Sequence, residues 1–208
     1  MFLRIVPLLL CLLLASPPAR SAAGSDGISR DGDIIRIEGR IRFVTEKRFA
    51  ALLAQPGANG QARRIELHLD SEGGNLDATF GMLREMAAAR RAGMRFLTRV
   101  PAGAICYSAC TLLFAAGEER IAGDDASFLF HGIVHRGPDG GRTRPDRAAL
   151  VAAAREKYLA GIGEADPGLA RWLREREIVA RNLEVTFAAG ELSRIFPAYV
   201  TRIEAAEN

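Results

Sequence analysis

An α/β fold is what this sequence predicts, with βαβ units, a parallel or mixed sheet and helices towards the C-terminus. Three observations predict it. Strand-like and helix-like segments alternate from Ile34 onward, the pattern of parallel strands joined by crossover helices. Two of those strands run into turns of glycine or small residues that open helices, at Gly73-Gly74 and at Ser108. The chain then carries two further helical segments beyond Pro145. With 208 residues and no internal repeat, one domain accounts for the whole chain after its leader.

The elements follow in order. Residues 1–23 read as a signal peptide: Arg4 is the basic flank, Ile5–Ala15 the apolar run, and Ser21-Ala22-Ala23 the cleavage site. The run is shorter than the roughly 20 residues a permanent span needs, although a retained anchor is the alternative. Residues 24–33 are polar and glycine-rich and read as a flexible lead-in to a single domain over 34–208. Ile34–Ile41 is a strand, Thr45–Ala54 a helix, and Gln55–Gly60 a loop. Ile65–Asp70 alternates as a strand and enters the turn Ser71–Asn75, after which Leu76–Arg91 has helical spacing. Gly93 stops that helix, and Arg95–Val100 is the next strand. A helix is expected over Cys106–Ala116, then short strands at Arg120–Ala122 and Phe128–Phe130. Gly132–Thr143 is a glycine-rich loop, Pro145–Leu159 a helix stopped by Gly161 and Gly163, and Leu169–Arg181 the last helix.

Charge and cysteine usage change with export. The formal charge of +3 falls by two when Arg4 and Arg20 leave with the leader, and so near-balanced a chain gives no reason to expect nucleic-acid binding. Cys11 leaves as well. Cys106 and Cys110 remain, an even pair that an oxidising compartment can link. On a helix, residues four apart have Cα atoms about 6 Å apart, near the upper end of disulfide geometry. Such a bond would act locally, holding the Tyr107-Ser108-Ala109 backbone; two buried free thiols are the alternative.

In open α/β sheets, sites form beyond the carboxyl ends of the strands. Gly73, Gly74 and Ser108 all fall there. Acyl transfer needs backbone N–H donors for the oxygen that gains charge, and glycine lets substrate approach the backbone closely. Ser108, at the start of a helix, has free N–H groups and the helix dipole beside it. A serine there is more often an ordinary N-cap. His131 ends an apolar strand and can take and return a proton near neutral pH, although a structural histidine would also fit. His68 lies on a strand face and reads as packed or exposed. His131 and His135 have the spacing of a helical zinc motif but no following Glu, and their glycine-rich surroundings exclude a helix. No metal site and no cofactor are predicted.

Taken in order, these residues resemble the proteolytic subunit of Clp protease and the wider Clp/crotonase superfamily, over about Ile34–Gly132. Asp70-Ser71-Glu72-Gly73-Gly74 stands where that family has Ser-Pro-Gly-Gly, with Glu72 in place of proline. Tyr107-Ser108-Ala109-Cys110, Phe114–Gly117 and Arg120 follow its nucleophile passage, and Phe128–Gly132 its histidine strand. The resemblance implies Ser108 as nucleophile, His131 as base, and an oxyanion hole from Gly73, with Gly74 beside it, and Ala109. It puts the third member at Glu184, just before Thr186–Leu192, with Asn182 as the alternative. The implied activity is an exported, ATP-independent serine hydrolase acting on a peptide or protein. An ATPase partner is not expected in a compartment without ATP, and a homo-oligomer is left open. An inactive binding relative, or a crotonase-like thioester enzyme, are the competing expectations.

Overall fold

Strands alternate with helices along the chain, and most of the strand pairs are parallel, as crossover connections require. The computed structural model describes residues 27–56, 64–133, 147–181 and 183–205. The proposed leader, Cys11, His135, Pro145, Asn182 and most of the loop after Gly132 lie outside them. The element order is β1 (Ile28–Asp31), β2 (Ile34–Ile41), α1 (Phe43–Leu53), β3 (Arg64–Gly74), α2 (Leu76–Arg91), β4 (Arg95–Val100), β5 (Ile105–Tyr107), α3 (Ala109–Ala115), β6 (Glu119–Gly123), β7 (Ser127–His131), α4 (Ala148–Ala165), α5 (Pro167–Glu175), β8 (Glu184–Ala188), α6 (Ala189–Ile195) and β9 (Arg202–Glu204).

The sheet forks at β3. One edge of β3 pairs with β2 along nearly its whole length. Along the other, Arg64–His68 pair with β4, while Ser71 pairs with Cys106 of β5. One branch continues β4-β6-β9 and the other β5-β7-β8. All pairings are parallel except β1 on β2 and β8 on β7. The alternation in β3 explains its faces: Ile65, Leu67 and Leu69 are fully buried, while Glu66, His68 and Asp70 face outward. A single apolar cluster extends from Ile28 to Val200, with the rings of Phe114, Phe128, Phe130 and Tyr199 packed edge-on or tilted against one another. Among the described residues no helix is long and apolar enough to cross a membrane.

Several sequence expectations need correction. Part of the expected flexible lead-in is strand β1, which pairs with β2 and whose Ile28 is buried. Helix α1 starts two residues earlier than the spacing indicates, because Thr45 Oγ1 accepts the Arg42 N–H at 3.1 Å. The expected helix over Cys106–Ala116 is instead a three-residue strand, a sharp turn at Ser108 and a shorter helix. Gly161 and Gly163 do not end α4, which runs on to Ala165. A Cβ on Gly161 would fall 2.7 Å from Leu112 Cδ2, so this glycine lets α4 lie against α3. Helix α5 ends at Glu175, and Glu177 then takes a positive φ of 54°. Strands β8 and β9 are additions that the sequence pattern does not predict.

Candidate functional site: the carboxyl edge of β3, β5 and β7

Because β3, β5 and β7 are parallel, their carboxyl ends lie along one edge of the sheet, and antiparallel β8 begins at that same edge. In lateral order this edge carries Gly73-Gly74, Ser108, His131 and Glu184, five of the sequence-predicted residues at the ends of four adjacent strands. The register makes Glu184 the direct partner of His131, and since Tyr107 pairs with Leu129, His131 lies one residue beyond the level of Ser108.

Ser108 links β5 to α3 in an unusual way. It occupies the N-cap position, yet its side chain makes no capping hydrogen bond. Its backbone has φ 54° and ψ −121°, outside the extended range that capping residues adopt. An L-residue at positive φ carries a steric cost and persists only where its surroundings impose it. Those surroundings are specific. The Ser108 N–H donates to Leu129 C=O at 2.8 Å, which ties the turn to β7. The Ser108 carbonyl accepts from Thr111 N–H at 3.0 Å and from the Thr111 hydroxyl at 2.6 Å. With the Thr111 proton committed there, Tyr158 of α4 must donate its own hydroxyl to Thr111 Oγ1, at 2.6 Å. Tyr199 donates to the Thr111 carbonyl at 2.8 Å. Burial pushes both tyrosine hydroxyls well above their ordinary range, so both stay protonated and remain donors. No local pattern in the sequence singles out Thr111, Tyr158 or Tyr199, since their roles arise from contacts across long stretches of chain.

Gly73 makes room for this turn. At φ +81° it favours glycine, and a Cβ there would fall 2.9 Å from both Ser108 Cβ and Ala109 N, and closer still to the Tyr107 carbonyl. The predicted oxyanion role is less straightforward. The Gly73 N–H already donates to buried Ser71 Oγ at 3.1 Å, and that hydroxyl donates onward to Gly39 C=O at 2.5 Å. Gly74 faces a different neighbour: a Cβ there would meet Ile41 backbone, and its pairing is with β2. Ala109 opens α3, where N–H groups have no partner within the helix. With seven residues, α3 is too short for the helix-dipole argument to carry weight.

His131 is half-buried, and its Nδ1 is 2.8 Å from the Gly132 carbonyl. A carbonyl only accepts, so Nδ1 is the donor of this contact, and in the neutral ring Nε2 is the nitrogen with the lone pair. The Gly132 carbonyl thus orients the ring, a contact that no side-chain pattern reveals. Glu184 is directly opposite His131 in the β7–β8 register, where facing side chains have Cβ atoms about 4.5–5.5 Å apart. It is exposed and makes no hydrogen bond to the ring, nor does Ser108 Oγ, among the described residues. Catalytic hydrogen bonds are often loose in free enzymes.

The Cys106 and Cys110 sulfurs are 2.06 Å apart, at disulfide distance, with Cα atoms 5.2 Å apart. They do not share a helix: Cys106 is in β5 and Cys110 in the first turn of α3, and both are fully buried. His68 is half-buried on the outer face, 2.7 Å from Glu66, which Arg99 also holds at 2.6 Å. Burial alone would raise the Glu66 carboxyl, but the Arg99 and His68 contacts outweigh it and hold the group below its ordinary value. A half-open cavity of about 370 Å³ lies at the fork of the sheet, lined by Arg36, Glu38, His68, Asp70 and residues 101–104. None of the predicted catalytic residues lines it. The chain matches no protein-family model and no curated protein.

Proposed function

We propose that this protein is an exported, ATP-independent serine hydrolase of the Clp/crotonase type, acting on peptides or proteins. The observation that carries the reading is Ser108: a serine at a helix start, held at positive φ, whose hydroxyl caps nothing. A sharp, strained strand-to-helix turn is the geometry that exposes a nucleophile above a sheet. In this reading His131 Nε2 takes the Ser108 proton as Oγ attacks the scissile carbonyl. Its oxygen becomes an oxyanion beside the Ala109 N–H. The imidazolium then returns the proton to the leaving amine, and water releases the acyl group by the same steps in reverse. Gly73 would add a second donor once its N–H turned from Ser71. Glu184 would steady the imidazolium from across the β7–β8 pair. An extended chain laid along strand ends needs an open edge rather than an enclosed hollow, which is consistent with the cavity lying elsewhere. The buried cysteine pair suits an oxidising compartment.

A specific observation favours a second reading, an inactive binding relative: the Gly73 N–H is engaged by Ser71, and no Ser108–His131 hydrogen bond is formed. Reaction with a fluorophosphonate probe separates the two. The hydrolase reading expects labelling that disappears in Ser108→Ala, falls sharply in His131→Ala and survives in Glu184→Ala. Because the Gly132 carbonyl already orients the ring, Glu184→Ala should cost turnover about tenfold or less, roughly 1.4 kcal/mol. No labelling of folded, oxidised wild-type protein would leave the binding reading standing.

A further inference from the structure

The two cysteines flank Ser108 at equal sequence distance, one on each side of its turn. Cys106 is fixed in the sheet, paired with Ser71 on one side and Phe128 on the other. Cys110 is the second residue of α3. Only Tyr107, Ser108 and Ala109 lie between them, and Ser108 has the positive φ.

That turn has an ordinary alternative. A serine at an N-cap normally takes extended backbone angles and accepts a hydrogen bond from the N–H two or three residues on, which here means Cys110 or Thr111. In that arrangement the hydroxyl is occupied and turned towards the helix. The same residues thus have a capped form, with the hydroxyl taken, and an uncapped form, with the hydroxyl presented. A bond that ties α3's first turn to β5 fixes the distance between strand end and helix start, so it biases the choice between the two.

We propose that closing the Cys106–Cys110 disulfide is the activating step for this site. With the thiols reduced, Ser108 relaxes to an N-cap and the site is dormant; with the disulfide closed, Ser108 is held uncapped and presented. The step is a two-electron oxidation: two thiols lose two protons and two electrons to a disulfide oxidant, which leaves as two thiols. Both cysteines are fully buried, so the switch is set when the segment opens or folds rather than by rapid exchange in the finished protein. A chain folded in a reducing compartment would therefore carry no working hydrolase until it met an oxidising one.

The inference rests on Ser108 being the nucleophile, and its test keeps the two claims apart. The protein is refolded either with dithiothreitol or with oxidised glutathione, and intact mass reports the state of the cysteines. Fluorophosphonate labelling should be at least tenfold faster in the oxidised form. Cys106→Ala/Cys110→Ala, which leaves small apolar side chains in place, should label at the reduced rate whatever the oxidant. Backbone NMR of Ser108 in the two wild-type preparations should show positive φ only after oxidation. Equal φ in the two states overturns the switch whatever the labelling, and so does a double variant that labels at the oxidised rate. If φ changes with redox state while neither form labels, the switch stands and the hydrolase reading falls.

Discussion

Two of the chain's passages from a parallel strand through a tight turn into a helix, β3 to α2 and β5 to α3, are built on opposite principles. At the end of β3, Asn75 takes φ −72° and ψ 116°, and its Oδ1 accepts the Ala78 N–H at 2.8 Å. This is a cap that satisfies an orphan donor at no conformational cost. At the end of β5, Ser108 occupies the equivalent position with φ 54° and a hydroxyl that makes no capping bond. The first turn favours stability. The second sacrifices some of it and is tied from behind by Thr111, Tyr158 and Tyr199, with the cysteine pair bracketing it. Strain held in place by this much surrounding structure is the pattern of a functional site.

The two turns touch at Gly73, so the largest expected effect is there. In Gly73→Ala the new Cβ meets backbone on the Ser108 turn, which cannot move aside as the end of a flexible side chain can. Positive φ adds a conformational cost. Together these should destabilise the fold by about 3 kcal/mol. Denaturant unfolding reads the loss, and probe labelling should fall with it because the Ser108 turn is displaced. A Gly73→Ala variant of unchanged stability and labelling would mean that the two turns are independent.

Much of the frame that holds these two turns is legible in the amino-acid sequence, while the contrast between them is not. The spacing of Ile34–Ile41, Leu76–Arg91 and Arg95–Val100 specifies three elements to the residue, because periodicity and flanking glycines agree there. The carboxyl-edge placement of Gly73, Ser108 and His131 follows from strand–helix alternation alone. Asn75 and Ser108, however, are both common N-cap residues, and nothing local says that the Ser108 hydroxyl makes no capping bond. Periodicity carries the helix back to Cys106, since a three-residue strand is too short to show alternation. Gly161 reads as a stop because its packing role depends on Leu112, which is remote in sequence. Strand β1 is hidden by the polar, glycine-rich composition around it; only its pairing with β2 defines it.

An intermediate effect should distinguish a working cap from a nominal one. Asn75→Ala removes the acceptor for Ala78 N–H and should cost about 1 kcal/mol of stability. Ser108→Ala removes a hydroxyl that makes no hydrogen bond among the described residues, so its stability should stay within about 0.5 kcal/mol of wild type. Asn75→Ala should label with the probe at the wild-type rate. Equal stability losses at the two positions would erase the distinction, since Ser108 would then be capping in solution.

The smallest effect is the most direct measure of strain. Ser108→Gly keeps the turn but removes the Cβ that makes positive φ unfavourable. Relief of the left-handed penalty is about 1–2 kcal/mol, and the extra freedom of glycine in the unfolded chain returns about 0.5–1 kcal/mol of that. The net expectation is a gain of about 0.5–1 kcal/mol over wild type, in a protein that has lost its hydroxyl. Oxidised preparations must be compared, because the proposed reduced form has Ser108 at extended angles and no strain to relieve. In that reduced form the sign should reverse, as Ser108→Gly would then remove a working cap and cost a few tenths of a kcal/mol. Thermal unfolding of wild type and Ser108→Gly in each redox state gives all four values. Destabilisation by Ser108→Gly in the oxidised protein would mean that the turn carries no strain, and the contrast between the two helix starts would lose its basis.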